Sequence, residues 1–196
     1  RQTPDNGFIV AFSTISNDGD VIGNHGGFDI SLIKLSSSGF IQWQRCYGGT
    51  NYEEVASLET TTDGGYIFTG STSSSNADVS GNHGNDDVWL VKVNESGDIE
   101  WQRCYGGTSD EGANCVVQTF DGGFAVTGYT ISNNEDVQGN HGGWDTWVFK
   151  VNSLGDLEWQ KCLGGSNYEN GFGITQSIDA GLVVAGVTKS NDGDVV

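Results

Sequence analysis

The chain has no methionine, one proline and few basic residues: 8 lysines and arginines stand against 26 acidic residues among 196. The formal net charge of −18 argues against a nucleic-acid partner, because a phosphate backbone is bound by clustered Lys and Arg. No apolar run approaches the ~18 residues of a membrane-spanning helix, so direct membrane insertion is not expected. With no initiator Met and with Arg1 first, the sequence indicates a processed product or a piece of a longer protein.

Internal repetition dominates what is present. Tryptophan, histidine and cysteine recur every 58 residues without insertion or deletion. The recurring residues are Trp43, Trp101 and Trp159; His25, His83 and His141; and Cys46, Cys104 and Cys162. The last 22 residues repeat the first 22, so the chain holds about 3.4 repeats. We expect one domain over 1–196, with units at 1–52, 53–110, 111–168 and, incomplete, 169–196.

Each unit divides into four short runs that are typical of β-strands, separated by Gly-rich turns. In the second unit they are predicted at residues 55–61, 66–72, 87–93 and 99–105. The third run is largely apolar on both faces: Val88, Leu90 and Lys92 alternate with Trp89, Val91 and Val93. Burial on both faces favours a small antiparallel sheet between identical neighbours, as in a β-propeller blade. The sequence predicts an all-β arc of four-stranded blades, part of a larger propeller; a β-sandwich or an open solenoid is the alternative.

Three motifs carry a resemblance: Asp-Gly-Gly-Tyr/Phe, Gly-Asn-His-Gly, and Trp-Gln-Arg/Lys-Cys-Tyr/Leu-Gly-Gly. They resemble the repeats of long secreted bacterial surface proteins, which are described as β-propeller repeat proteins and are often exported by the sorting system of gliding bacteria. The resemblance covers essentially the whole chain and implies an extracellular or bacterial cell-surface location. It implies no particular ligand.

The polar loop between the second and third strands suggests calcium as a candidate cofactor. It presents several carboxylate and amide oxygens, the ligands that Ca²⁺ prefers. The candidate ligands are Asp18, Asp20, Asn24 and Asp29; Asp78, Asn82 and Asp87; and Asp136, Asn140 and Asp145. Their spacing departs from the D-x-D-x-D-G template. The alternative is that Asp and Asn close tight turns while Gly supplies positive φ.

The other repeated residues are predicted to be structural. We expect each histidine to be fixed between glycines by a hydrogen bond to Trp, Asp or a backbone carbonyl. A shared zinc site is not expected, because one zinc needs ligands at about 2.0–2.3 Å and the histidines belong to separate blades. We expect the repeated cysteines to be small buried packing residues, with a Cys104–Cys115 bridge conceivable, and the tryptophans to pack between blades. The expected partners of the repeated Lys34, Lys92 and Lys150 are acids such as Asp29, Asp87 and Asp145.

Three functions compete. The first is a non-enzymatic surface module for adhesion, scaffolding or envelope assembly, whose partners are further repeats or another chain. The second is a repeated-site lectin that grips glycans with exposed aromatics such as Phe28 and Trp144, although Asp86 at that position in the second unit weakens a uniform site. The third is a propeller hydrolase or lyase; its paired acids, Glu53-Glu54 and Asp110-Glu111, would point to opposite faces of a strand.

Overall fold

The computed structural model describes residues 1–195, which contain thirteen β-strands and no helix. The strands are β1 (Phe8–Thr14), β2 (Asp29–Leu35), β3 (Ile41–Tyr47), β4 (Glu53–Thr60), β5 (Tyr66–Thr72), β6 (Asp87–Val93), β7 (Ile99–Tyr105), β8 (Glu111–Gln118), β9 (Phe124–Thr130), β10 (Asp145–Val151), β11 (Leu157–Leu163), β12 (Glu169–Gln176) and β13 (Leu182–Thr188). Within this range, no helix has the length and apolar character needed to cross a bilayer.

The strands form four antiparallel sheets in which neighbours in sequence pair. The first sheet is β1–β3, the second β4–β7, the third β8–β11 and the fourth β12–β13. The predicted all-β fold with four-stranded antiparallel sheets is confirmed. In the second unit β5, β6 and β7 have the predicted bounds, whereas β4 begins at Glu53 instead of residue 55. This extension arises because the Glu53 amide donates to the Phe28 carbonyl (2.7 Å) and Glu53 pairs with Thr72.

Successive sheets pack face to face because their middle strands are apolar on both sides. All seven residues of β6 are buried. Val88 and Leu90 belong to a core cluster shared with Phe149 of the third sheet, while Trp89 and Val91 belong to a cluster shared with the first sheet. A smaller cluster joins the third and fourth sheets. Each large side chain buried in this way contributes about 1.5–3 kcal/mol. In chain order, we call the contact between the first and second sheets the first junction, that between the second and third sheets the second junction, and that between the third and fourth sheets the third junction.

The repeated tryptophans lie on the last strand of each of the first three sheets, β3, β7 and β11, and extend this packing. The Trp101 indole donates to the Ser153 carbonyl (3.1 Å), and its ring centroid lies 5.8 Å from that of Phe124 in the third sheet. Trp43 lies likewise 6.0 Å from Tyr66 in the second sheet. Trp159 is 40% exposed, because the turn that covers Trp101 has no counterpart in the two-stranded fourth sheet.

The repeated lysines pair with acids of the tight turn between the first two strands. Lys92 Nζ lies 2.9 Å from Asp63 Oδ2 and 2.6 Å from Glu100 Oε2. The equivalent turn pairs are Lys34–Asp5 (2.8 Å) and Lys150–Asp121 (2.7 Å). Each lysine thus bridges an acid of its own unit, as expected, but the named candidates Asp29, Asp87 and Asp145 were wrong, because these acids are fully buried and bind the histidines instead. Although burial opposes it, hydrogen bonds from Thr61 and Lys92 lower the pKa of Asp63 to about 2.

Truncation of two equivalent tryptophans should have unequal effects. Trp101→Ala should lower the free energy of unfolding by about 3–5 kcal/mol, because it leaves a cavity between two sheets. Trp159→Ala should cost clearly less, because that ring is already 40% exposed. Urea unfolding followed by circular dichroism measures both, and equal costs would show that Trp101 is not packed between the sheets.

The same turn contains a backbone conformation that disfavours side chains. Gly64 and Gly122 have φ of 89° and 84°, and Ala180 occupies the equivalent position with φ of 66°. Gly64→Ala should lower the free energy of unfolding by about 1–2 kcal/mol, the cost of a left-handed L-residue. Ala180→Gly should not lower it, because the relief of strain offsets the added freedom of the unfolded chain. A stabilising Gly64→Ala in a urea titration would contradict this reading of the turn.

Candidate functional site

The polar loop before each third strand presents the repeated histidine. In the second unit Gly81 has a φ of 89°, which turns the chain into the loop. The Asn82 side chain then closes the loop, since its Nδ2 donates to the Thr72 carbonyl (3.0 Å) and its Oδ1 accepts from the Gly84 amide (2.9 Å). His83 is thereby held over the start of β6. The motif Gly-Asn-His-Gly is a device for positioning one imidazole.

Each histidine binds the aspartate that begins its third strand. Both the ring Nδ1 and the backbone amide of the histidine donate to the same Asp Oδ2. The ring distances are 2.7 Å for His25–Asp29, 2.7 Å for His83–Asp87 and 2.6 Å for His141–Asp145. The prediction of a histidine fixed by an Asp hydrogen bond agrees with this geometry, and the Asp is now identified.

The second ring nitrogen faces an acid of the following unit. The Nε2–Oδ2 distances are 3.9 Å for His25–Asp78, 4.0 Å for His83–Asp136 and 3.8 Å for His141–Asp194. Asp78 is itself docked on the preceding sheet, because its amide donates to the Gly48 carbonyl (3.1 Å) and its carboxylate accepts from the Gly48 amide (3.3 Å). The imidazole therefore lies between two carboxylates that belong to different units, at every junction.

A second buried acid lies beside each Asp–His pair. Glu53 is fully buried and accepts from the Gly49 amide (2.8 Å) and the Thr72 hydroxyl (2.7 Å). Glu53 Oε2 and Asp29 Oδ1 lie 2.6 and 2.7 Å from the point that a Cβ of Gly48 would occupy. Glycine is therefore required at residue 48. In residues 1–195 the side-chain oxygens buried without a hydrogen-bond partner are Asp29 Oδ1, Asp87 Oδ1 and Asp145 Oδ1.

The buried glutamates were not among the site residues predicted from the sequence. Glu53, Glu111 and Glu169 begin the first strand of their sheets and recur every 58 residues. That recurrence was the available signal. The carboxylate of Glu53 was considered only as one of a pair with Glu54, whereas the structure places it against Asp29 of the preceding unit.

Most of the candidate calcium ligands have protein hydrogen-bond partners, and those of Asp78 and Asp136 lie across a junction. Within the first loop Asn24 Nδ2 donates to the Thr14 carbonyl (3.1 Å) and Asn24 Oδ1 accepts from the Gly26 amide (3.0 Å). Asn82 and Asn140 make the equivalent bonds. Asp78 and Asp136 dock on the preceding sheet, while Asp18 and Asp20 are exposed and have no preceding sheet in this chain. Calcium stays a prediction, which chelation in a melting experiment tests.

The cysteines of the described chain form no disulfide. All four, Cys46, Cys104, Cys115 and Cys162, are free thiols. Burial raises the pKa of Cys162 to about 12, so that thiol stays protonated at neutral pH and is a poor nucleophile. Residues 1–195 contain no group of three or more His, Cys, Asp or Glu arranged to hold a metal ion. In the Asp–His–Asp arrangement the imidazole can take up a proton, and its positive charge then lies between carboxylates of two units.

No model of a known protein family matches this sequence, and no curated protein is similar to it at a significant level.

The histidine contacts predict how stability depends on pH. Although burial of His83 opposes it, the hydrogen bond and the charge of Asp87 raise the pKa of His83. The hydrogen bond to Asp145 raises that of His141. A folded-state pKa above the unfolded value of about 6.5 stabilises the fold below pH 6.5, and this stabilisation is lost as pH rises through the folded pKa. The melting temperature should therefore fall from about pH 6.5 upward.

The matched control for this pH dependence removes the imidazoles. A His83→Asn/His141→Asn variant should have a lower melting temperature at pH 6 and a flatter profile above it, because it has lost the groups that titrate. Calorimetry of both proteins between pH 6 and pH 9 makes the comparison. Profiles that stay parallel would mean that these histidines are not the source of the dependence.

Proposed function

We propose that the four sheets are consecutive blades of a β-propeller arc and that the chain acts as a non-enzymatic scaffold or adhesion module outside the bacterial cell. One observation carries the proposal: every junction repeats the Asp–His–Asp contact, and an apolar cluster joins the two neighbouring sheets at each junction. Units that bind one another in the same way build an extended surface by addition. A catalytic centre, in contrast, depends on one group that differs from its copies.

The charge distribution supports a protein partner. Six of the eight cations stand at repeated positions, which are Lys34, Lys92 and Lys150, and Arg45, Arg103 and Lys161. The three repeated lysines are occupied by turn acids. Few cations are therefore left to hold an anionic substrate. The acidic surface keeps such a module soluble and steers it toward basic or neutral partners.

The two end sheets support the proposal that further repeats or another chain stack on the arc. Val183 of β13 is 56% exposed, although its counterparts Ile67 and Ala125 in the inner sheets are fully buried. At the other end Phe8 and Val10 of β1 are each 42% exposed. Exposed apolar sheet faces and free strand edges favour association.

A glycan-binding role is the second candidate, because aromatic pairs line two of the three junctions. The ring centroids of Phe28 and Tyr52 lie 4.9 Å apart, and those of Trp144 and Tyr168 lie 5.3 Å apart. Trp144 is 36% exposed. A glycan array separates the two candidates: saturable binding of a sugar favours the lectin, and its absence favours the scaffold.

Completion of the fourth sheet tests the stacking. A chain extended after Val196 by a copy of residues 81–105 gains third and fourth strands for β12–β13. We expect a higher melting temperature and a blue-shifted emission of Trp159, because the added turn covers that indole as residues 152–155 cover Trp101. The control carries an extension of the same composition in scrambled order. If both extensions leave the melting temperature unchanged, the blade-on-blade proposal fails.

A further inference from the structure

Several positions at which the repeat is not kept lie at the junctions. A scaffold residue keeps its type in every unit, as the histidines do, so changed positions that lie together point to a specialised surface on a fixed frame. Two such positions directly precede the first and third strands. Their occupants are Phe28 and Tyr52 at the first junction, Asp86 and Asp110 at the second, and Trp144 and Tyr168 at the third.

These three pairs have the same backbone placement. The amide that follows one member donates to the carbonyl of the other, over 2.7 Å for Glu53–Phe28, 2.7 Å for Glu111–Asp86 and 2.6 Å for Glu169–Trp144. At the second junction two carboxylates therefore replace a pair of aromatic rings in contact. Like charges so placed repel each other and destabilise the fold unless something compensates them. This repulsion lowers the stability of the second junction, whereas the other two junctions have no such pair of charges.

A cavity of about 210 Å³ lies between the second and third sheets at this junction. Glu54, Ser71, Asn114 and Tyr129 line it. Tyr129 is a further departure from the repeat, since its counterparts are Ser13, Ser71 and Val187. The phenol ring fits because glycine lies opposite: a Cβ on Gly112 would be only 2.7 Å from the ring. The cavity thus has an aromatic wall that the equivalent positions of the other units lack. We call it the second-junction cleft.

The cleft offers two groups that only accept hydrogen bonds, the Glu54 carboxylate and the Asn114 side-chain oxygen, beside the hydroxyls of Ser71 and Tyr129. Asn114 gives its amide hydrogens to Asn170 Oδ1 (2.6 Å) and to a backbone carbonyl (2.9 Å), so its own oxygen stays available. Among the described residues that line the cavity there is no Lys or Arg. The Asp86 carbonyl accepts from the Glu111 amide (2.7 Å) and the Asp110 carbonyl from the Ile131 amide (3.3 Å), so both acids lie at the edge of the cleft beside the Gly112–Tyr129 pair. Burial and then the charges of these two acids raise the pKa of Tyr129. A ligand that fits must bring donors and positive charge.

The aromatic wall of the cleft continues to the third junction, where a lysine ammonium group already lies over a ring. The Tyr129 ring stacks on Trp144 with centroids 4.3 Å apart and an interplanar angle of 20°, and Trp144 lies next to Tyr168. Lys189 Nζ lies 5.1 Å from the centroid of Tyr168. Cations are attracted to ring faces by the ring quadrupole, and aromatic sites that bind quaternary ammonium use this attraction.

We propose that the second-junction cleft binds an organic ammonium group, either of a small amine or of a lysine side chain on a partner protein. Glu54, Asp86 and Asp110 supply the negative charge, and Tyr129 supplies the aromatic wall. A bare metal ion fits less well, because residues 1–195 contain no group of three carboxylate, thiol or imidazole ligands within coordination reach. A neutral sugar could donate hydrogen bonds to the carboxylates, but it would leave their mutual repulsion uncompensated. The inference goes beyond the proposed scaffold role and does not depend on it.

The test titrates the full chain with putrescine and, separately, with Nα-acetyl-lysine methylamide, followed by ¹H–¹⁵N spectra and calorimetry. We expect saturable binding that shifts the amides of β8 and β9 and weakens with salt. The variant Asp86→Phe/Asp110→Tyr copies the first junction, so it should fold and melt at a higher temperature, and it should bind at least about tenfold more weakly. Tyr129→Ser, which copies the second unit, should also weaken binding.

The matched control removes two exposed charges elsewhere. Asp20→Asn/Glu95→Gln has the same net charge as the junction variant and should bind as the original chain does. Equal binding by the junction variant and the original chain, or equal loss in the control, would overturn the proposal, as would no binding of either amine. Tighter binding of putrescine would assign the cleft to small amines, and tighter binding of the lysine derivative to a protein partner.

Discussion

Two-sided burial of the middle strands is the constraint on which the rest of this structure depends. A sheet whose third strand is apolar on both faces, as β6 is, cannot be stable with one face in water. Each sheet therefore requires a neighbour on each side, and the same sequence repeated at a fixed interval supplies it. Because the interval has no insertion, equivalent chain positions meet at every contact. The Asp–His–Asp arrangement can recur for that reason.

The apolar contact alone would not fix how one sheet sits on the next. Buried carboxylates do this, because they are costly unless each accepts hydrogen bonds in one geometry. Glu53 accepts from Gly49 and Thr72, and Asp29 accepts from His25, all in a space that requires glycine at residue 48. A displaced sheet would take Glu53 away from the Gly49 amide of the preceding unit. The polar junction therefore sets the relative position of sheets that hydrophobic packing holds together.

Strand positions could be predicted from the sequence because they depend on local signals. Alternating apolar residues between Gly-rich turns gave β5, β6 and β7 with their bounds, and the repeat extended this to every unit. The partners of His25 could be predicted only in part. Asp29 lies four residues away and follows from the loop, but Asp78 comes from the next unit and requires knowledge of how sheets stack. The partner of Lys92 was not named from the sequence for a different reason, because Asp63 is distant from it in sequence and adjacent to it within one sheet.

Exact repetition also explains why function is hard to find in such a chain. The residues that attract attention, the repeated histidines, cysteines and tryptophans, are those that every unit needs in order to pack. A ligand site needs features that one unit has and the others lack, and these occur where packing is indifferent to side-chain type. The positions of Asp86 and Asp110 meet that condition, since aromatic rings occupy them elsewhere without changing the backbone. Departures from the repeat, rather than its conserved residues, therefore indicate where a repeat protein of this kind can bind.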